Sequence, residues 1–204
     1  MSRLIKKPLE IPSSVRVEVK EGEGKFKGRV VKGKVFHFKG PKGEVEVYVP
    51  PMVNAEVENG TIKIHPIDVK KLPKPDRKLG ESLPGTIYRL LRNAIIGVVD
   101  GYRRELKVVG TGYRVRKEGE KLVFTVGYSH PVEYEIPEEY RKYVRVEVQG
   151  QDTVIVSGTS KELVGLVAAQ IRSIREPNVY TGKGIRYADE VISLKPTKKT
   201  KAGG

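Results

Sequence analysis

The residues best suited to chemistry lie near the end of the chain, between Arg172 and Tyr187. Pro177, Gly182 and Gly184 interrupt regular helix or strand there, so the segment is predicted to be a loop. Its cations can meet phosphates and its tyrosines can rest on a base or ribose. These side chains are Arg172, Arg175, Tyr180, Lys183, Arg186 and Tyr187. A solvated basic loop that only closes a domain fits the same residues.

Glycine on both sides of Lys183 supports the binding interpretation. Gly182 and Gly184 are predicted to let the backbone pass close to a partner and to leave the lysine unobstructed. Arg186 can offer two parallel donors to one phosphate. We therefore expect a binding loop for a polyanion.

The overall charge points to the same partner class. The 204 residues include 39 Lys and Arg against 25 Asp and Glu, a formal net charge of +14. Such self-repulsion is usually retained where a polyanion neutralises it, so nucleic acid is the first candidate. The longest apolar runs, at residues 95–99 and 164–169, are too short to cross a bilayer. No membrane partner is expected.

Other features limit the setting. The chain has no cysteine, which excludes disulfides, thiolate metal sites and a cysteine nucleophile. The first residues are basic but are not followed by the apolar segment of a signal peptide. A cytoplasmic protein is therefore expected.

Nucleotide hydrolysis is not supported. The segment from Gly28 to Lys34 has the glycine and lysine spacing of a phosphate-binding loop, but Val35 stands where the magnesium-binding hydroxyl belongs. The segment also alternates like a strand, whereas the motif needs a strand, a loop and a helix. Tyr113 and the residues after it do not complete a dinucleotide-binding glycine pattern from Gly110.

No other catalytic constellation is present in the sequence. His37, His65 and His130 have no ligand-like spacing. Ser129 precedes His130, but neighbours in a strand point to opposite faces and no nucleophile elbow surrounds the serine. We expect no enzyme, no cofactor, no metal and no small-molecule substrate.

Hydrophobic spacing predicts mostly short strands. In the first half they fall at residues 15–19, at 25–38 as one or two strands, and at 44–49, 53–57 and 61–64. In the second half they fall at 106–109, 112–115, 122–126, 132–136, 144–148 and 153–156. Turns at residues 40–43 and at Asn59-Gly60 predict two hairpins in the first half.

One amphipathic helix is predicted in each half. The first has Ser82 or Thr86 as its N-cap and follows a polar, proline-containing connection from Pro66 to Glu81. Its apolar residues are Ile87, Leu91, Ala94, Ile95 and Val98. The second follows the capping-box spacing of Thr159 and Glu162. Its apolar residues are Leu163, Val167, Ile171 and Ile174.

The shared order of elements predicts an internal duplication. The fold class is then α+β, with two similar small domains, each an antiparallel sheet covered by one helix. We expect the first repeat at residues 1–101, the second with an RNA-binding face at 102–180, and a basic binding loop and tail at 181–204. The tail has too little apolar content to fold alone.

Three motifs carry a family resemblance. They are Gly110-Thr-Gly-Tyr-Arg114, Val126-Gly-Tyr-Ser-His-Pro-Val132, and Pro177-Asn-Val-Tyr-Thr-Gly-Lys-Gly-Ile-Arg-Tyr187. Together they closely resemble the bacterial-type family of large ribosomal subunit protein six, over nearly the whole chain. The third motif is the most specific. It departs from the family pattern at Thr181, where a lysine is usual, so one expected cation is absent.

The resemblance implies a structural constituent of the large ribosomal subunit that supports translation. It implies binding to large-subunit rRNA near the sarcin-ricin hairpin and factor-binding region, with neighbouring ribosomal proteins near the stalk base as further partners. The first domain is expected to make fewer RNA contacts. Beside the loop residues, the tail lysines Lys195, Lys198, Lys199 and Lys201 are expected to follow the RNA. Arg114 and Arg116 form a second candidate patch.

Three alternatives remain from the residues alone. A protein-interaction module would use the basic surface only for solubility and would show little salt-dependent RNA affinity. An enzyme would need a convergent nucleophile, base or metal cluster. A DNA-binding regulator would need a helix-turn-helix pair, but a whole set of strands separates the two predicted helices.

Overall fold

The computed structural model describes residues 7–26, 28–65 and 73–196. It divides into two compact units. The first runs to Gly101 and includes Thr159–Lys161, and the second comprises Tyr102–Gly158 and the residues from Glu162 onward.

The first unit contains two antiparallel sheets and a long helix. Its elements are β1 Leu9–Glu10, β2 Arg16–Phe26, β3 Arg29–Gly40, β4 Gly43–Val49, β5 Asn54–Glu58, β6 Thr61–His65 and α1 Lys74–Val99. The sheets have the strand orders β2-β3-β4 and β1-β6-β5. Both predicted hairpins are present, and Asn59 and Gly60 have φ of 47° and 73°, as a two-residue hairpin turn requires.

The core of the first unit lies beneath α1, which packs on β3, β4 and β6. Phe36 and Phe38 are fully buried and their ring centroids lie 6.4 Å apart. Leu91 and Val98, on the predicted apolar face of the helix, are also fully buried. Burial of this face positions the helix against the sheet.

Helix α1 begins earlier than the sequence predicts. The prediction that Pro66–Glu81 is only a connection is wrong from Lys74 onward, because Pro73 is the N-cap and Pro75 lies in the first turn, where a missing N–H costs no helical bond. Ser82 and Thr86 are therefore inside the helix and not caps. Their hydroxyls donate to the backbone carbonyls of Leu79 and Ser82.

The second unit also contains two antiparallel sheets. Its elements are β7 Tyr102–Val109, β8 Arg114–Glu118, β9 Lys121–Thr125, β10 Val132–Glu135, α2 Glu138–Arg141, β11 Val144–Gln149, β12 Thr153–Gly158, α3 Lys161–Ile174 and β13 Gly184–Tyr187. The strand orders are β11-β12-β7-β13 and β10-β9-β8. The predicted α+β class is confirmed, although each unit has two sheets where one was expected.

The second core joins α3 to both sheets. Val167, Ala168 and Ile171 of the helix are fully buried with Phe124 of β9 and Ile185 of β13. Alternation along β9 and β12 places every second side chain in this core. The helix ends at Ile174, so the first three residues of the predicted loop, from Arg172 to Ile174, are helical.

The end of the predicted loop is a strand. Gly184–Tyr187 pairs antiparallel with β7, with Ile185 opposite Val108. Residues 184–187 are therefore part of the four-stranded sheet of the second unit, whereas the sequence assigns them to a separate loop and tail. The edge of β7 supplies ladder partners, which overrides the local glycine signal.

Candidate nucleic-acid interface

The tip of the loop is a compact turn built around Asn178. Its side-chain Oδ1 accepts hydrogen bonds from the N–H of Tyr180 at 2.8 Å and of Thr181 at 3.2 Å. The Gly182 N–H donates to the Asn178 carbonyl at 2.7 Å, and the Asn178 N–H donates to the Lys183 carbonyl at 2.9 Å. Asparagine commonly closes turns in this way. The tip therefore holds a defined shape through its own hydrogen bonds.

Two of the predicted contact residues point outward from this turn. The side chain of Tyr180 is 54% exposed. Lys183 is exposed, and its amine has no hydrogen-bond or ion-pair partner within the described residues. An exposed ring and an unpaired cation on an ordered turn can meet a base and a phosphate.

Arg175 lies beside the other family motifs. Its guanidinium carbon is 4.8 Å from the ring centroid of Tyr128, whose hydroxyl donates to the Ile174 carbonyl at 3.0 Å. Hydrogen bonding with Tyr128, and then with Tyr113, raises the pKa of Arg175. Tyr113 in turn packs over Gly127. The first two motifs therefore meet at the end of α3, and the third is joined to them by the Ile185 N–H, which donates to the Arg175 carbonyl.

Arg172 has a protein partner. Its Nε and Nη2 donate to the two carboxylate oxygens of Glu190 at 3.0 and 2.6 Å, and its guanidinium carbon lies 5.8 Å from the centroid of Tyr187. Arg104 lies 5.9 Å from the same ring. The pKa of Glu190 is lowered by its hydrogen bonds with Arg172. The predicted RNA contacts of Arg172, to phosphate, and of Tyr187, to a base or ribose, thus compete with this packing.

Gly184 is buried, and its contact is internal. A Cβ at this position would lie 2.6 Å from Pro177 Cα and 2.7 Å from the carbonyl oxygen of Glu176, and φ is +146°. The prediction that Gly184 allows close approach to RNA is therefore corrected. The absence of a side chain at Gly184 lets the end of the loop pass close to its start at Glu176 and Pro177.

Arg186 is half-buried on β13. Its Nη1 lies 3.5 Å from the Glu190 carbonyl oxygen, and its buried Nε has no hydrogen-bond partner within the described part of the chain. A phosphate would have to be met by the Nη atoms, because Nε is closed to solvent.

The chain after β13 returns to the loop. The Lys195 N–H donates to the Val179 carbonyl at 2.9 Å, and Leu194 packs 3.5 Å from the Cβ position of Gly182. The Lys195 side chain is exposed. The remaining predicted tail contacts, Lys198, Lys199 and Lys201, lie outside the described residues.

Arg114 and Arg116 are exposed on one face of β8, with buried Val115 between them. Arg114 directly follows Tyr113, so it stands at the same end of the unit as the Arg175 cluster. Arg116 lies two residues farther along the strand.

Sequence reasoning does not single out three residues that shape this surface. Asn178 has a usable signal, because asparagine after proline is typical of a turn. Tyr128 lies in a quoted motif but is absent from the predicted contact set. Glu190 has no local signal, since its partner Arg172 is distant in the chain.

The described residues show no metal centre and no membrane-spanning helix. Among the described residues there is no group of three or more His, Asp or Glu side chains placed to hold a metal ion. None of the helices in that part of the chain is both long enough and apolar enough to span a membrane.

Comparison with known proteins identifies the family. Residues 109–188 match the family model of ribosomal protein L6. Large ribosomal subunit protein uL6 of Thermotoga neapolitana is 45% identical over 199 residues, covering 98% of this chain and 100% of that protein. The Thermotoga maritima protein of the same name is also 45% identical with the same coverage. The Caldicellulosiruptor saccharolyticus protein is 40% identical over 204 residues, covering 100% of this chain and 99% of that protein.

These relatives span essentially the whole chain, so the match is not confined to one unit. They are named as ribosomal proteins and not as enzymes, which agrees with the prediction of a non-enzymatic ribosomal protein. The motifs that meet around Arg175 and the loop all lie inside the matched range. The chain belongs to the ribosomal protein L6 family, the family of large ribosomal subunit protein uL6.

Proposed function

We propose that the second unit binds large-subunit rRNA near the sarcin-ricin hairpin and factor-binding region, and so helps to build and hold that part of the ribosome. The binding surface, here called the loop surface, consists of Tyr128, Arg175, Tyr180 and Lys183. The names of the relatives and the resemblance of the motifs support RNA as the partner.

One observation carries the proposal. Hydrogen bonds to Asn178 hold the loop tip in shape, while Tyr180 and Lys183 stay exposed on it. A surface that is ordered before binding loses less conformational entropy when RNA arrives. Exposed side chains of these types suit recognition of a folded RNA backbone by shape and charge.

The other cations differ in whether they contact RNA or position the residues that do. Arg175 supports the exposed ring of Tyr128 and adds charge to the loop surface. Arg172 positions the segment after β13 through Glu190. Arg114, Arg116 and Arg186 add phosphate contacts at the edge of the surface.

The tail extends the interface. Lys195 is held beside the loop by its backbone bond to Val179, so the chain leaves the unit at the loop surface. We propose that Lys198, Lys199 and Lys201 follow the RNA from there. The first unit is proposed to face solvent and ribosomal proteins near the stalk base. The protein is proposed to act in the ribosome, in the cytoplasm.

Substitution of Lys183 tests this function. Lys183→Ala should weaken binding of the full chain to an rRNA fragment containing the sarcin-ricin region about tenfold, which is about 1.4 kcal/mol. It should also reduce the slope of log K against log salt by about 1. Filter binding across a salt series measures both, and circular dichroism checks the fold.

Arg145→Ala is the matched control. Arg145 is exposed on β11, at the opposite edge of the four-stranded sheet from β13, and its loss changes the net charge equally. Binding that is unchanged in Lys183→Ala, or lowered equally in both variants, would refute the loop surface. Truncation at Arg175 is a poor substitute, because it removes the fully buried Ile185.

A further inference from the structure

The hairpin of β2 and β3 extends beyond its sheet. The two strands pair from Arg16 opposite Lys39 to Phe26 opposite Arg29. Strand β4 pairs with β3 only from Lys34 onward. The part of β3 before Lys34 and its partners on β2 therefore form a two-stranded ribbon, here called the β2–β3 ribbon.

A tyrosine braces the base of this ribbon. The ring of Tyr48 lies against Gly24 and Gly33, where any Cβ would come within 2.4 and 2.8 Å of it. The Tyr48 hydroxyl donates to the Val31 carbonyl at 2.7 Å. A two-stranded ribbon is marginally stable alone, so this packing orders an arm that would otherwise fray. The glycines on β2 and β3 make room for the ring.

The ribbon contains one acidic residue, Glu23, and its other charged residues are cations. From Gly24 to Gly43 the sequence has no Asp or Glu. Its cations there are Lys25, Lys27, Arg29, Lys32, Lys34, Lys39 and Lys42. The described side chains of Lys25, Arg29 and Lys32 are exposed and have no ion-pair partner among the described residues.

The ladder places these cations on both faces of the ribbon, with Arg29, opposite Phe26, on one face and Lys25 and Lys32 on the other. Lys25 stands directly opposite Val30, and Lys32 follows two residues later on the same face, about 7 Å along the strand. Glu23 is opposite Lys32 on the ladder but forms no ion pair with it within the described part of the chain. Val30 is 62% exposed at the tip. Lys25, Arg29 and Lys32 thus surround the end of the ribbon and are left without an ion-pair partner among the described residues.

We propose that the tip of the β2–β3 ribbon binds RNA phosphates through Lys25, Arg29 and Lys32, giving the first unit an RNA contact of its own. The proposal rests on RNA being the partner of the second unit. An acidic protein is disfavoured, because a single exposed valine is too little apolar area for the core of a protein interface. Cations spaced along an antiparallel ribbon suit a phosphate backbone instead.

A charge-reversal series tests the ribbon. The full chain with Lys25→Glu, Arg29→Glu and Lys32→Glu should bind purified large-subunit rRNA at least tenfold more weakly. The salt slope should fall by about 2 to 3, as expected for three lost phosphate contacts. The control carries Lys42→Glu, Arg89→Glu and Arg92→Glu, three exposed cations of the same unit. It should lose much less affinity, although its net charge is the same.

A tethered probe gives a second readout. Because the chain has no cysteine, Val30→Cys can carry a single iron chelate that cleaves nearby RNA by hydroxyl radicals. In reconstituted large subunits it should cut rRNA at positions that the same chelate on Val57→Cys does not cut. Equal losses in the two charge variants, or no rRNA cleavage from Val30→Cys, would overturn the ribbon proposal. Damage to a protein neighbour alone would favour a protein partner instead.

The two proposals fail separately. Weaker binding of Lys183→Ala with full binding of the ribbon variant refutes only the ribbon contact. Full binding by both variants refutes both.

Discussion

Arg172 donates two hydrogen bonds to the carboxylate of Glu190, which also accepts one from the Tyr187 N–H at 3.1 Å. The two side chains are 27% and 24% exposed, so water screens the pair only in part. The contacts tie the end of α3 to the segment after β13. These hydrogen bonds stabilise the segments that support the loop surface. The carboxylate of Glu190 also neutralises the charge of Arg172 before RNA binds.

Glu190→Gln should lower the free energy of unfolding by about 1 to 2 kcal/mol at pH 7. Arg172 holds the pKa of Glu190 below its ordinary value of 4.5. Such a carboxyl stabilises the fold above the unfolded-state pKa and loses that contribution as pH falls through the lower folded-state pKa. The difference between the variant and the native chain should therefore shrink below about pH 4. Urea unfolding at several pH values measures it.

Asp189→Asn is the control for this pair. Asp189 is 75% exposed and lies 3.5 Å from Arg104, so its loss should change stability by less than about 0.5 kcal/mol. A difference for Glu190→Gln that persists unchanged at pH 3 would show that the carboxylate is not the source of the stability.

At the scale of elements, the loop is a crossover between α3 and β13. The Ile185 N–H donates to the Arg175 carbonyl at 2.7 Å, directly beside the point where Gly184 passes Glu176 and Pro177. The crossing sets where the loop tip emerges. The direction of Tyr180 and Lys183 is therefore decided by packing at Gly184.

Gly184→Ala should destabilise the second unit by about 3 kcal/mol and weaken RNA binding as well. The new methyl group would collide with backbone atoms of Glu176 and Pro177, and φ of +146° is unfavourable for alanine. Thermal unfolding followed by circular dichroism, together with filter binding, measures both effects.

Gly165→Ala is the matched control within the same unit. A Cβ at Gly165 in α3 meets no atom within 4 Å, so the change should stabilise the helix by about 0.5 to 1 kcal/mol. If Gly184→Ala were as stable as the native chain, Gly184 would not pack tightly against Glu176 and Pro177.

Across the whole molecule, charge is the shared property of the proposed contacts. The loop surface, the tail and the β2–β3 ribbon all contribute cations to a chain whose net charge is +14. Several cations inside the folded units are already paired, including Arg172 and Arg141. The tail adds Lys195, Lys198, Lys199 and Lys201 to the cations of the chain.

A chain ending at Pro196 should keep its stability and bind rRNA more weakly. The deletion removes Lys198, Lys199 and Lys201, so the net charge falls from +14 to +11 (14 − 3). Three lost phosphate contacts should reduce the salt slope by about 2 to 3. Lys198→Gln with Lys199→Gln and Lys201→Gln should give the same loss at full length. An unchanged slope in both would remove the tail from the interface.

The sequence by itself determines much of the local structure and the partner class. Alternation predicts most strands of the second unit, and Asn59-Gly60 predicts a hairpin turn, because each signal depends on residues close in the chain. The motifs from Gly110 to Tyr187 indicate the family, and the excess of Lys and Arg indicates a polyanion.

Only the tertiary structure decides which of these residues are free to bind. Arg172 pairs with Glu190, Gly184 packs on Glu176, and β13 forms along β7, all through partners brought together by folding. By contrast, the start of α1 at Lys74 has a local cause, because Pro73 at the N-cap and Pro75 in the first turn suit the beginning of a helix. Charge and glycine content are the same for a paired and an unpaired residue, so contacts between distant segments determine the difference.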